Sequence, residues 1–146
     1  MAKSYVPHMH TAEHILNRTM QNQMHCDRSF SAHINSKKSK CDYHFDRDLT
    51  AEEAANIERI VNEELSKHHP VTEEVMPIED AKTAYNLAKL PSADIETIRI
   101  VHIGTYDSCP CIGEHTQNTA EVGTFSIISH SHADGVLRIR FKCKSS

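Results

Sequence analysis

No apolar run in this chain approaches the roughly 20 residues needed to span a bilayer, so a membrane-spanning helix is excluded. The first seven residues lack the apolar core of a secretory signal, and the expected location is cytoplasmic. Cysteine occurs five times, an odd number, and without a secretory signal a disulfide framework is not expected. A basic excess is also missing: the net charge is −4. Nucleic-acid binding would therefore have to rest on local patches rather than on overall charge. Internal repeats and long linkers are absent, and 146 residues suit a single domain, 1–146, with a real core.

What the chain does have is a split pair of motifs. His10-Thr-Ala-Glu-His14 lies near the start, and Cys111-Ile-Gly-Glu-His115 lies about a hundred residues later. Thiolate and neutral imidazole are the usual zinc donors. Residues four apart lie one turn apart on a helix face, so His10 and His14 can reach one ion. With Cys111 and His115 they make a four-donor set for Zn2+ that would also staple the fold. Either pair alone is weak in a chain with 12 histidines; together they are specific.

The elements follow from periodicity. Met9, Ala12, Leu16 and Met20 predict a helix over 7–23, with His10, His14 and Asn17 along one edge. Strands are expected over 30–35 and 41–45, joined by a polar turn. Thr50 and Glu53 form a capping box that opens a helix over 50–67, closed before Pro70. A strand over 71–78, a helix over 79–90 and a β-branched strand over 97–104 follow. Residues 105–110 read as a loop that delivers Cys111. Strands over 123–130 and 136–143 flank an Ala133-Asp-Gly135 turn. In the last strand Arg138, Arg140, Lys142 and Lys144 share one face. That face is either the solvated outside of a sheet or a track for phosphates. Cys41 and Cys143 read as buried thiols. Helices mixed with strands, without β-α-β alternation, predict an α+β fold. Its sheet is expected to be mostly antiparallel and packed with helices. The zinc site falls between the N-terminal helix and a C-terminal strand-loop.

His10-Thr-Ala-Glu-His14, Cys111-Ile-Gly-Glu-His115, Asn118-Thr-Ala-Glu-Val-Gly123 and Gly135-Val-Leu-Arg-Ile139, in this order, resemble the editing domain of alanyl-tRNA synthetase. The length resembles its free-standing AlaX-type relatives. The resemblance implies hydrolysis, in trans, of the ester in seryl- or glycyl-tRNA(Ala). It also implies zinc at His10, His14, Cys111 and His115, and tRNA as the partner. Two residues depart from the family's C-G-G-T-H, namely Ile112 and Glu114. Glu114 is an ionisable group beside the metal and so a candidate base. Thr11, His33 and Gly113 are candidates for the substrate pocket, although Thr11 reads equally as a helix-surface residue and His33 as a strand-surface one. Arg138, Arg140 and Lys142 are candidates for tRNA contact. A similar C-x-G-x-H in the threonyl-tRNA synthetase editing domain keeps seryl-tRNA(Thr) open as a substrate. A zinc-stapled RNA-binding module without turnover, or another small metallohydrolase, would use the same donors.

Overall fold

A computed structural model of the chain describes residues 6–84, 96–111 and 113–144. Its first element is helix α1 (Pro7–Met24), opened by proline in the first turn and closed by His25 in the left-handed region at φ 56°. The predicted stripe is its buried face. Met9, Ile15, Leu16 and Met20 are fully buried, each burial stabilising by about 1.5–3 kcal/mol. Helix α2 (Ala51–Ser66) has the predicted capping box, with Thr50 and Glu53 each satisfying the other's backbone N–H. It buries Ile57, Val61 and Leu65 against the same core.

The strands divide into two antiparallel sheets rather than one. β1 (Ser31–His33), β2 (Ser39–His44), β6 (Thr124–Ala133) and β7 (Val136–Lys144) form the larger sheet, in the order β1-β2-β7-β6. Its inner face, with Cys41, Tyr43, Leu137, Ile139 and Phe141, packs on α1 and α2. The β6–β7 turn has Asp134 at φ 52° and Gly135 at φ 77°, the paired positive values that a tight hairpin requires. β3 (Val71–Pro77), β4 (Thr97–Ile103) and β5 (Asp107–Pro110) form the smaller sheet. A short helix α3 (Ile78–Ala84) lies on it through Ala81, Ile98 and Ile100. The rest of the helix expected over 79–90 lies outside the described residues. The architecture is α+β, and no helix among the described residues is long and apolar enough to cross a membrane.

Several boundaries move. The expected strand over 30–35 shortens to β1, because the chain turns at Asn35, where Ser39 Oγ accepts from the Asn35 N–H and donates to its carbonyl. The strand expected to end at residue 130 runs on to Ala133 because every residue there pairs with β7. The expected loop over 105–110 is largely β5, paired with β4 from Asp107 to Pro110. Tertiary pairing overrides the poor strand propensity of Asp-Ser-Cys-Pro.

Asn17 is the polar node of this core. Its side-chain oxygen accepts from Tyr43 Oη at 2.8 Å and from the Ser29 N–H at 3.3 Å. All three groups are buried. Asn17→Ala is expected to strand two buried donors and cost about 2–4 kcal/mol, read as a lower urea midpoint with unchanged slope.

Candidate metal centre

Four donors converge where α1 meets the segment after β5. His10, His14, Cys111 and His115 present ligand atoms that all lie within 4.8 Å of one another. One helical turn sets His10 above His14, ring centroids 5.0 Å apart. His115 stacks on His10 at 4.1 Å and meets His14 edge-on at 4.5 Å. Cys111 Sγ lies 3.3 Å from His10 Nε2.

Two of the imidazoles are held by hydrogen bonds to their outer nitrogens, and the third faces a carboxylate. His10 Nδ1 donates to the Glu114 carbonyl at 3.1 Å. His115 Nδ1 is hydrogen-bonded to Thr11 Oγ1 at 3.0 Å. His14 Nδ1 faces Asp107 Oδ2 at 3.5 Å. His10 Nε2 is thereby turned towards the sulfur, whereas His14 Nδ1 and His115 Nε2 are buried with no hydrogen-bond partner. Orientation of a ligand by a carboxylate or carbonyl behind it is the usual support of a metal site.

Asp107 supplies the deepest of these supports. Its side chain is fully buried and takes a two-pronged bond from Arg28, at 2.8 and 3.1 Å, and a third from Arg18 at 3.0 Å. Burial alone would raise its pKa, but His14 and Arg28 hold the carboxyl well below the ordinary carboxylate range. Tyr106, its neighbour, is bonded to Thr19 Oγ1 on α1 at 2.6 Å.

The loop that carries Cys111 is pinned just as tightly. Arg99 donates to the carbonyls of Gly113 at 2.8 Å and Cys111 at 3.2 Å. At Gly113 a Cβ would fall 2.2 Å from the His10 ring, so only glycine lets the backbone pass. Thr116 donates from its N–H and its hydroxyl to Thr11 Oγ1. Beyond it, Asn118 and Glu121 cap a single 3-10 turn (Thr119–Glu121), and Thr119 bonds to the end of α2 through Leu65 and His69. The Asn118-Thr-Ala-Glu121 run is thus the anchor of the second donor segment.

The electrostatics favour a bound cation. Burial opposes the Cys111 thiolate, but the neighbouring His10, His115 and His14 rings outweigh it and push the thiol down to about 3. Burial, aided by the neighbouring imidazoles His14 and His10, pushes His115 down to about 4. Burial disfavours charge on His14 too, yet Asp107 and Cys111 hold its pKa up at about 9. Cys109 behaves in the opposite way: burial pushes it up to about 11, so its thiol stays protonated. A thiolate and three imidazoles, that of His14 once it gives up its proton, with an orphaned nitrogen on His115, fit a divalent metal. A tetrahedral ion with bonds of about 2.0–2.3 Å holds its donors roughly 3.3–3.8 Å apart, a modest contraction of this cluster.

The remaining sequence candidates separate. Thr11 is fully buried under His115 and Thr116. Gly113 is buried against His10. Glu114 turns its side chain to solvent while its carbonyl holds His10. His33 is exposed on β1, and no hydrogen bond or ring contact among the described residues joins it to the donors. Arg138, Arg140, Lys142 and Lys144 share the outer face of the larger sheet, as their alternation predicts, but Arg138 is tied to Asp42 at 2.7 and 2.9 Å. Ile112 lies outside the described residues. The sequence reading missed Asp107, Arg28 and Arg99, whose roles are tertiary. It also missed Glu13, whose carboxylate lies 3.6 Å from His10 Nε2. Its place inside the first motif was the available signal.

Known proteins share parts of this sequence. Residues 98–140 match the family model described as the threonyl and alanyl tRNA synthetase second additional domain. More particularly, the chain is homologous to a segment of alanine–tRNA ligase. Alanine–tRNA ligase 1 of Lachnoclostridium phytofermentans is 34% identical over 133 residues, which are 89% of this chain and 15% of that protein. The enzyme of Bacillus subtilis is 33% identical over 124 residues, 84% of this chain and 14% of its own length. That of Treponema pallidum is 33% identical over 134 residues, 90% of this chain and 22% of its own. The chain therefore spans less than a quarter of each of these relatives.

Two outcomes are expected. Asp107→Asn leaves Arg28 and Arg18 without their carboxylate, and stability should fall by about 3–5 kcal/mol in denaturant titrations. The sign of the pH dependence follows. A carboxyl depressed in the fold stabilises above its unfolded pKa of about 3.9, and that stability is lost as pH falls below it. The variant should lose part of this acid sensitivity. Gly113→Ala, which drives a methyl into the His10 ring, should weaken divalent-metal binding at least about tenfold by competition with a chromogenic chelator.

Proposed function

We propose that the chain is a zinc-dependent deacylase that hydrolyses the ester of mischarged tRNA in trans, seryl- or glycyl-tRNA(Ala) first among substrates. The observation that carries this reading is the convergence of His10, His14, Cys111 and His115, their ligand atoms within 4.8 Å of one another, in a chain homologous to alanine–tRNA ligase. The reading extends to editing, to the AlaX-type form and to the cytoplasm, where charged tRNA is found.

His10, His14, Cys111 and His115 would hold the zinc. When bound, the ion supplies Lewis-acid polarisation or a fixed anchor for the substrate's amino or ribose groups. The protein's own groups do the rest. Asp107, Thr11 and the Glu114 carbonyl orient the three imidazoles, and Gly113 lets the loop close over His10. Two carboxylates flank the site. Glu13 lies against His10 and is largely sheltered, with its second oxygen accepting from Asn17 at 3.4 Å. Glu114 stands at the exposed rim. Either can take the proton from an attacking water, a role worth about 10²- to 10⁴-fold in rate. Arg140 and Lys142 are proposed as contacts to the tRNA backbone, with Arg138 held back by Asp42.

Two observations support second readings. The matched family model covers threonyl as well as alanyl synthetases, which supports seryl-tRNA(Thr) as a substrate. A set of four protein donors is the pattern of a structural ion, which supports an RNA-binding module without turnover.

The test is single-turnover deacylation of seryl-tRNA(Ala), glycyl-tRNA(Ala) and seryl-tRNA(Thr), run beside metal analysis. About one zinc per chain is expected, with release of serine or glycine from tRNA(Ala). Stoichiometric zinc without turnover on any of the three would replace the deacylase by the binding module. Cys111→Ala should lose metal and turnover together, whereas Cys109→Ala should keep both within a fewfold. Glu13→Gln or Glu114→Gln, whichever carboxylate is the base, should slow hydrolysis at least about a hundredfold with the metal retained.

A further inference from the structure

Among the described residues, no helix covers the outer face of the larger sheet, because α1 and α2 pack on the other side. Register places His33 opposite Lys40, Lys40 opposite Arg140 and Arg140 opposite Ser129. Arg140 donates to Ser129 Oγ at 3.3 Å, so these residues share the face. His33, Lys40 and Arg140 therefore form a row across three strands, spanning roughly 10 Å. With Lys38 they line a groove of about 350 Å³.

Like charges directly opposite one another destabilise a sheet. Lys40 and Arg140 are such a pair, and among the described residues neither has a carboxylate within ion-pair distance. The nearest acid on this face, Asp42, is engaged by both prongs of Arg138, which hold its carboxyl below the usual range. A chain with net charge −4 has thus kept a cluster of cations unneutralised in a concave site. Such a site is complementary to a polyanion.

A second feature stands on the same strand. Phe30 and His44 stack with ring centroids 3.9 Å apart and planes 10° from parallel. Both are exposed, Phe30 to 39%. His44 follows Lys40 and Asp42 in alternation along β2 and lies roughly 13 Å from Lys40. Exposed aromatic rings beside a basic groove are the two parts of a single-strand platform: bases stack, and cations track the backbone.

We propose that this face binds a single strand of RNA, its phosphates along His33, Lys40 and Arg140 and a base against the Phe30–His44 stack. The choice of RNA rests on the reading of the chain as acting on tRNA. Two of the metal donors, His10 and His14, sit on α1, which packs on the opposite face of the sheet, so we assign the bound strand to a part of the tRNA other than its ester-bearing end. The face accordingly sets affinity and not the rate of the chemical step.

The test uses the full chain and a fluorescent RNA single strand of about 12 nucleotides, followed by anisotropy through a salt titration. K40Q/R140Q should lower the slope of log affinity against log salt by about 1.4, from two lost phosphate contacts. Phe30→Leu keeps an apolar side chain but loses the ring, and should weaken binding at least about fivefold at fixed salt without changing the slope. With mischarged tRNA, both variants should raise KM and spare kcat. Unchanged affinity in either variant overturns the proposal, as does a fall in kcat with KM unchanged. Failure of the unmodified chain to deacylate, with these binding effects intact, would strike the deacylase reading alone.

Discussion

The buried Asp107 carboxylate is the interaction on which the site depends. An unpaired charge in that position would be prohibitive, and three cationic or potentially cationic groups surround it. They come from two places: His14 and Arg18 on α1, and Arg28 in the segment after it. Asp107 itself opens β5, four residues before Cys111. One ion-pair cluster therefore locks the helix that carries two donors to the strand that delivers the third. The donors can sit in contact because the charges behind them have already set the distance between α1 and β5. The same carboxylate sets the ring orientation of His14. Stability and donor geometry are properties of one cluster, and a change that loosens one loosens the other.

The donors themselves were legible in the sequence because helix periodicity is a local rule. Spacing by four places His10 and His14 on one face wherever the helix goes, and Met9, Leu16 and Met20 say which face is inward. The capping box at Thr50 and the alternation of β7 are local for the same reason. What stayed illegible was tertiary. Asp107 to Pro110 has little strand propensity and becomes β5 only because β4 offers an unpaired edge. The pairing of Arg138 with Asp42 depends on strand register across 96 positions of sequence, which no spacing rule encodes. His33 illustrates the limit most clearly. Its residue type suits a pocket wall, yet register places it in the basic row of the outer face.

The glycine in the second motif shows how local and tertiary constraints combine. The reason for Gly113 is the His10 ring, which occupies the volume a Cβ would need. Arg99 then draws the Gly113 and Cys111 carbonyls towards β4, on the far side of that contact. The loop is held between a ring it cannot penetrate and a guanidinium that pulls it back. The Cys111 position follows from that balance.

The two faces of the larger sheet then carry different kinds of chemistry for one physical reason. The inner face is apolar and closed, and behind it α1 presents donors in a sheltered, precisely packed site where charges interact strongly. The outer face is open to water, where a single cation is worth little and only several together hold a polyanion. A substrate with a small reactive end and a long charged body needs both environments. The small end requires rigid donors and shelter from water; the body requires an extended row of cations that tolerates its motion. In the proposed reading, a single sheet with helices packed on its inner face supplies the two environments, separated by the thickness of the sheet.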